Sequence, residues 1–274
     1  MKTQMAAGIA ATILALAAAD AVASTATATL SNFKIELFDL NKGSGAPPSV
    51  VFQSVQGGTF VAAETGATDA GGHLVRSTDE HFGAQPFGNA AANEMDGSSL
   101  AFATLAGDPF DGAASVLAFA SGSRAGAYSA STVMLGDGAS YAPFTLSPET
   151  RMVISADASA TANSTIDDDF ATAWASAFLK LTDETGLGAI SYGSVESQQG
   201  GTRGGSPFTS SDDERIEVTF DNLGSDSIDG IFFGSIDTYV ADIAPVPEPA
   251  GTPLILSALA LLAWRGRRRQ SRQG

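Results

Sequence analysis

Apolar side chains recur at every second position through long stretches of this chain, a period that admits strands and argues against a helical bundle. The cleanest case is residues 215–222, RIEVTFDN. They set Ile216, Val218 and Phe220 on one side and Arg215, Glu217, Thr219 and Asp221 on the other. Residues 25–40, TATATLSNFKIELFDL, alternate as well, with Phe33, Ile35, Leu37 and Asp39 against Leu30, Asn32, Lys34, Glu36 and Phe38. A slip of phase there suits a bulge near Asn32. In residues 169–182, Ala171, Ala173, Ala175, Ala177, Leu179 and Leu181 alternate with Thr172, Trp174, Ser176, Phe178 and Lys180. That order favours a strand, although so many alanines also suit a helix.

Further strands are expected at 100–105, 115–120, 126–135, 189–195 and 228–243, and at 144–156 with a break at Pro148. Residues 49–55 and 59–63 flank Gly57-Gly58 and read as a tight hairpin. Residues 64–97 show little periodicity and read as a long loop or a weakly paired edge. The chain has no cysteine, so disulfides, thiolate zinc sites, iron–sulfur clusters and cysteine nucleophiles are excluded, and a hydrophobic core must supply stability. Short strands without intervening amphipathic helices predict an all-β, antiparallel β-sandwich. No internal repeat points to a propeller or solenoid.

The two ends carry a different message. Prolines 245, 247 and 249 remove three backbone donors and keep that stretch extended. An apolar run over residues 250–264 follows, then Arg265, Arg267, Arg268, Arg269 and Arg272. An apolar helix can enter a bilayer, whereas a cluster of guanidinium groups stays on the cytoplasmic side. Fifteen residues make a helix of about 22 Å against a hydrocarbon core of about 30 Å, a mismatch that snorkelling arginines and bilayer thinning can cover. At the other end Lys2 precedes an uncharged, mostly apolar stretch over residues 6–19. Ala21-Val22-Ala23 then offers small residues before a cut ahead of Ser24, and Ala26-Thr27-Ala28 offers a second such site.

Val246-Pro247-Glu248-Pro249, the apolar stretch and the arginine triplet, in that order, resemble the PEP-CTERM sorting signal, also catalogued as the C-terminal domain of ice-binding proteins. The resemblance covers about a tenth of the chain. It implies transient insertion in a bacterial inner membrane and processing near the Pro-Glu-Pro by an exosortase, an integral membrane enzyme. It further implies export to the cell envelope, extracellular polysaccharide or biofilm. Residues 28–40 and 217–224 look like the first and last strands of many PEP-CTERM ectodomains, a likeness that supports a sandwich and implies no chemistry. The expected organisation is a signal peptide with its helix at 1–23, a β-sandwich at 24–244, and a sorting signal with a transmembrane helix at 245–274.

Of 14 basic and 30 acidic groups, Lys2, Asp20 and the five terminal arginines lie in the two end segments. Residues 24–264 therefore hold 8 basic and 29 acidic groups, a net charge of about −21. Such a body lacks the cations that phosphate contacts need, which excludes nucleic acid as a partner. It also keeps an exported protein soluble and attracts divalent cations. Oxygen ligands for Ca²⁺ could come from Asp167, Asp168 and Asp169 or from Asp212, Asp213 and Glu214. Neither run has the spacing of an EF-hand loop, and carboxylates in a row are more often solvated at strand ends. His73 and His81 stand in the irregular stretch with Asp79 and Glu80 beside them, too few for a closed metal site.

No Gly-x-Ser-x-Gly element supports a Ser/His/Asp triad, and Gly200-Gly-Thr-Arg-Gly-Gly205 lacks the ending of a phosphate loop. Trp174, Phe232, Phe233 and Tyr239 could form a sugar-stacking platform, though aromatics on sandwich strands usually belong to the core. The favoured function is a non-enzymatic, exported cell-surface or matrix protein with no cofactor. The runner-up is a carbohydrate-binding module, with or without Ca²⁺, acting on extracellular polysaccharide, and a secreted hydrolase ranks third.

Overall fold

A computed structural model describes residues 24–242, apart from connecting segments 43–46, 54–58, 69–73, 83–88, 97–98, 108–113, 123–126, 136–141, 165–170, 184–190 and 200–207. The expected signal segment with Ala21 and Ala23, the sorting motif, the arginine tail and Asp167–Asp169 lie outside the described residues.

Fourteen strands follow one another in the described residues: β1 Ser24–Asp39, β2 Val50–Phe52, β3 Phe60–Thr68, β4 Leu74–Phe82, β5 Ala90–Asp96, β6 Ser99–Ala106 and β7 Ser115–Gly122. After them come β8 Ala127–Leu135, β9 Ala142–Leu146, β10 Thr150–Ser164, β11 Ala171–Asp183, β12 Ser191–Gln199, β13 Phe208–Asn222 and β14 Ile228–Asp242. Every pairing is antiparallel. One sheet has six strands in the order β13-β10-β1-β7-β6-β5. The other has eight, in the order β12-β11-β14-β8-β3-β4 with β9 and β2 added beside β14. The long β14 makes this arrangement work. Its residues 228–232 pair with β9 and its residues 234–241 with β8, so two short strands share one long neighbour.

Alternation decides which side of each strand is buried. On β13, Ile216, Val218 and Phe220 enter the core; on β11, Ala173, Ala175, Ala177, Leu179 and Leu181 do so. β1 changes phase midway. Leu30 and Phe33 are both buried, and the ladder to β10 shifts between Ser31 and Lys34. Asn32 sits at the shift with a φ of 52°, a left-handed conformation that asparagine tolerates better than most residues. Its side-chain amide donates to Asp157 at 2.7 Å, and Arg215 completes the group with a 2.5 Å ion pair to the same carboxylate.

The core is graded along the strands. Towards the start of β1 it is filled by Ala26, Ala28, Ala118, Ala120, Ala160, Ala162, Ala173 and Ala175. Small side chains let the sheets approach until hydroxyls of one reach the backbone of the other. Ser129 donates to the Leu100 carbonyl at 2.7 Å and Ser131 to the Phe119 carbonyl at 3.0 Å. Towards the far end the core thickens with Phe144, Phe232, Met152, Ile154, Leu179 and Leu181. There Gly230 leaves room for the Phe144 ring, which a Cβ would meet at 2.4 Å.

One sequence expectation is settled between its alternatives and another is corrected. Of the two readings of residues 64–97, the paired edge holds over the loop: the described part is the end of β3 and all of β4 and β5, with β4 and β5 on the edges of the two sheets. Edge strands bury only one neighbour and carry polar residues on both faces, which hides their period. The segments around Gly57-Gly58 do not pair with each other, because β2 pairs with β9 while β3 pairs with β4 and β8.

Candidate functional site: a trough across the eight-stranded sheet

The outer faces of the two sheets differ in chemistry. On the six-stranded sheet β1, β10 and β13 present short hydroxyls, with Thr27 opposite Thr161 and Thr161 opposite Ser211, and rings are confined to the stacked pair Phe102 and Phe119 on β6 and β7, apart from Phe38 at the end of β1. The eight-stranded sheet instead carries two bands of bulky side chains with a band of small and acidic ones between them.

Register builds the middle band. Glu196 stands opposite Ser176, Ser176 opposite Asp237 and Asp237 opposite Thr132. Thr132 then faces Ala62, and Ala62 faces Glu80, so the row crosses all six strands from β12 to β4. On one side of it Trp174 is paired with Tyr239, and Tyr128 meets Tyr239 edge-on at 5.4 Å between ring centres. On the other side Phe178 touches Tyr192 at 5.5 Å and Phe233 at 5.3 Å, and Phe60 touches Phe82 at 5.1 Å. Tall rings flanking a low floor make a trough that runs across the strands. The rings leave Ser176 of the floor buried, and Ser235 is buried in the wall between Phe178 and Met134.

Polar contacts fix the walls. The Trp174 indole N–H donates to Glu196 at 2.9 Å, which holds the ring at one end. At the other end the Arg76 guanidinium lies 4.8 Å from the Tyr128 ring centre and 3.1 Å from the Glu64 carboxylate. Asp237 in the floor accepts from the Thr132 hydroxyl and from Ser235 at 2.7 Å. Burial pushes its carboxyl above the ordinary Asp range, partly offset by the Ser235 bond. Burial likewise raises the Tyr128 and Tyr239 phenols.

Of the four aromatics expected as a platform, Trp174, Phe233 and Tyr239 lie on this outer face, and Phe232 is a core residue pointing the other way. Asp212 and Asp213 are not at a strand end. They are successive residues within β13, so their side chains leave opposite faces and do not share one ion site. Asp212 turns inward at the sheet edge and accepts the Glu196 backbone N–H at 3.3 Å. His81 pairs with Asp79 at 3.0 Å, and His73 lies outside the described residues. Among the described residues no group of three or more histidines and acids is arranged to hold a metal.

Asp237, Thr132, Glu196 and Glu80 were not legible as a group. Each sits at an unremarkable alternate position of its own strand, and only the pairing of strands far apart in sequence assembles them. A search against protein-family models, curated proteins and solved structures finds no match for this chain.

Proposed function

We propose that this chain is a non-enzymatic, exported cell-surface or matrix protein, sorted through its Pro-Glu-Pro signal and processed by an exosortase. In this reading residues 1–23 are a signal peptide with its helix. Residues 245–274 supply the sorting motif, the transmembrane helix and the basic stop at Arg265, Arg267, Arg268 and Arg269. The precursor is inserted in the inner membrane before the body reaches the envelope or the medium. The observation that carries the reading is the order of parts in the sequence: Val246-Pro247-Glu248-Pro249, an apolar run over residues 250–264 and then the arginine cluster, behind an all-antiparallel body. Among the described residues the ladders of β1 run from Ser24, whose hydroxyl meets that of Ser164 at 2.9 Å.

A second reading is favoured by the trough. Rings flanking a floor of hydroxyls and carboxylates suit a polysaccharide, because sugar rings offer C–H faces for stacking and hydroxyls for the acids. The two readings are compatible, one giving the destination and the other a ligand there. Intact mass spectrometry of the protein from fractionated cells tests the first. The expected mass, found in the envelope or medium, lacks both ends. A mass that retains residues 264–274 in every fraction replaces the processed form with a permanent anchor.

A further inference from the structure

We propose that the trough binds an amino-bearing, positively charged polysaccharide laid across the strands. This rests on the reading of the outer face as a glycan-binding surface. The floor crosses six strands at the usual spacing, which is about 24 Å and long enough for several sugar units. Carboxylates stand at both ends of the floor and in its middle: Glu196, Asp237 and Glu80.

Charge selects among glycans. The chain carries a net charge of −16, which repels uronate or phosphate polymers, and the same repulsion disfavours a second copy of the chain on this face. A neutral glycan stacks on the rings but brings no counter-charge to the acids. A protonated amine does, through a charge-assisted hydrogen bond. The cations of the walls leave this balance intact. Arg76 is paired with Glu64, and Lys180 lies in the wall beside Phe178, away from the floor.

Calorimetric titration of the full chain in mild detergent tests the proposal. The probes are a glucosamine oligomer, its fully N-acetylated counterpart of equal length, and a uronate oligomer. The glucosamine oligomer is expected to bind about tenfold more tightly than the acetylated one and to weaken as salt rises. The uronate oligomer is expected not to bind. Glu80→Gln, an exposed change, should lower the preference for the amine, and Trp174→Ala should weaken both sugars. Tyr192→Ala removes a ring that is 58% exposed and repeats that test without disturbing the core. Equal binding of the acetylated oligomer, unchanged by Glu80→Gln, overturns the amine specificity and leaves a glycan face standing. No binding to any probe removes both. Sedimentation showing a dimer that Trp174→Ala disperses would make the face a self-interface and overturn the proposal.

Discussion

Asp237 shows how one residue can serve a surface at the expense of the fold. It sits in the middle of the trough with Thr132 and Ser235 donating to it, and the shielding rings disfavour its charge. Because burial favours the protonated acid, Asp237 stabilises the fold most fully below the ordinary value of 3.8. That contribution is lost as pH rises through its raised pKa. Asp237→Asn keeps an acceptor and removes the charge. At pH 7 it is expected to stabilise the protein by on the order of 1 kcal/mol, about 2–4 °C in Tm for a domain of this size. The gain should vanish in melts run below pH 3.8. A gain that persists there would trace the effect to packing instead of charge. Asp157 and Asp221 have the opposite sign. Asn32 and Arg215 lower the first, and Arg151 lowers the second through two bonds of 2.7 Å. Their stabilisation is present above the ordinary Asp range and is lost as pH falls through their lowered values.

Among the strands, the edges show a shared device. A sandwich has open sides where unpaired backbone groups invite another chain. On one side Asp79 of β4 accepts the Asn93 N–H of β5 at 2.9 Å. On the other, Ser191 of β12 accepts the Thr219 N–H of β13 at 2.8 Å, and Asp212 of β13 accepts the Glu196 N–H of β12. Gly193 lets these strands come close, since a Cβ there would stand 3.2 Å from Ile216. Thus each edge is tied to the opposite sheet by side chains. Ser191→Ala should speed hydrogen exchange at the Thr219 amide and destabilise the protein by about 1 kcal/mol. An unchanged exchange rate would show that the amide is protected some other way. These ties also mark where sequence reading stops. The alternation of β13 and the two phases of β1 could be read directly, and that of β11 as the favoured of two readings, because their apolar positions pack on the core. β4 and β5 could not, because their inward positions include Asp79, His81 and Glu94, charges that an edge can hold and a central strand cannot. The partner of β2 was misassigned for a different reason. A glycine pair signals a turn, but only the long β14 decides that β2 and β3 lie end to end instead of side by side.

For the molecule as a whole, the central place of β1 bears on the proposed cleavage. Two cleavage sites could be read from the sequence, and they are not equivalent in the fold. A cut after Ala28 would remove Ala26 and Ala28, both fully buried, together with the start of the ladders to β7 and β10. A cut ahead of Ser24 keeps every described residue of both ladders. The mature chain is therefore expected to begin at Ser24, and N-terminal mass mapping checks it; a start at Thr29 would mean that the sheet stands without those five residues. The sandwich itself was legible from period and composition. The trough was not, because it depends on which strands become neighbours.

That same strand sets an order of events in time. The strand made first among the described residues finds its neighbours only far downstream: Ser24 pairs with Gly122 of β7 and with Ser164 of β10, the latter 140 residues on. Closing so long a loop is slow and cannot begin before the far partner exists. Until β7 and then β10 have followed, the leading strand lacks its neighbours, so on the proposed export route the polypeptide would stay threadable through a pore until those strands had been made.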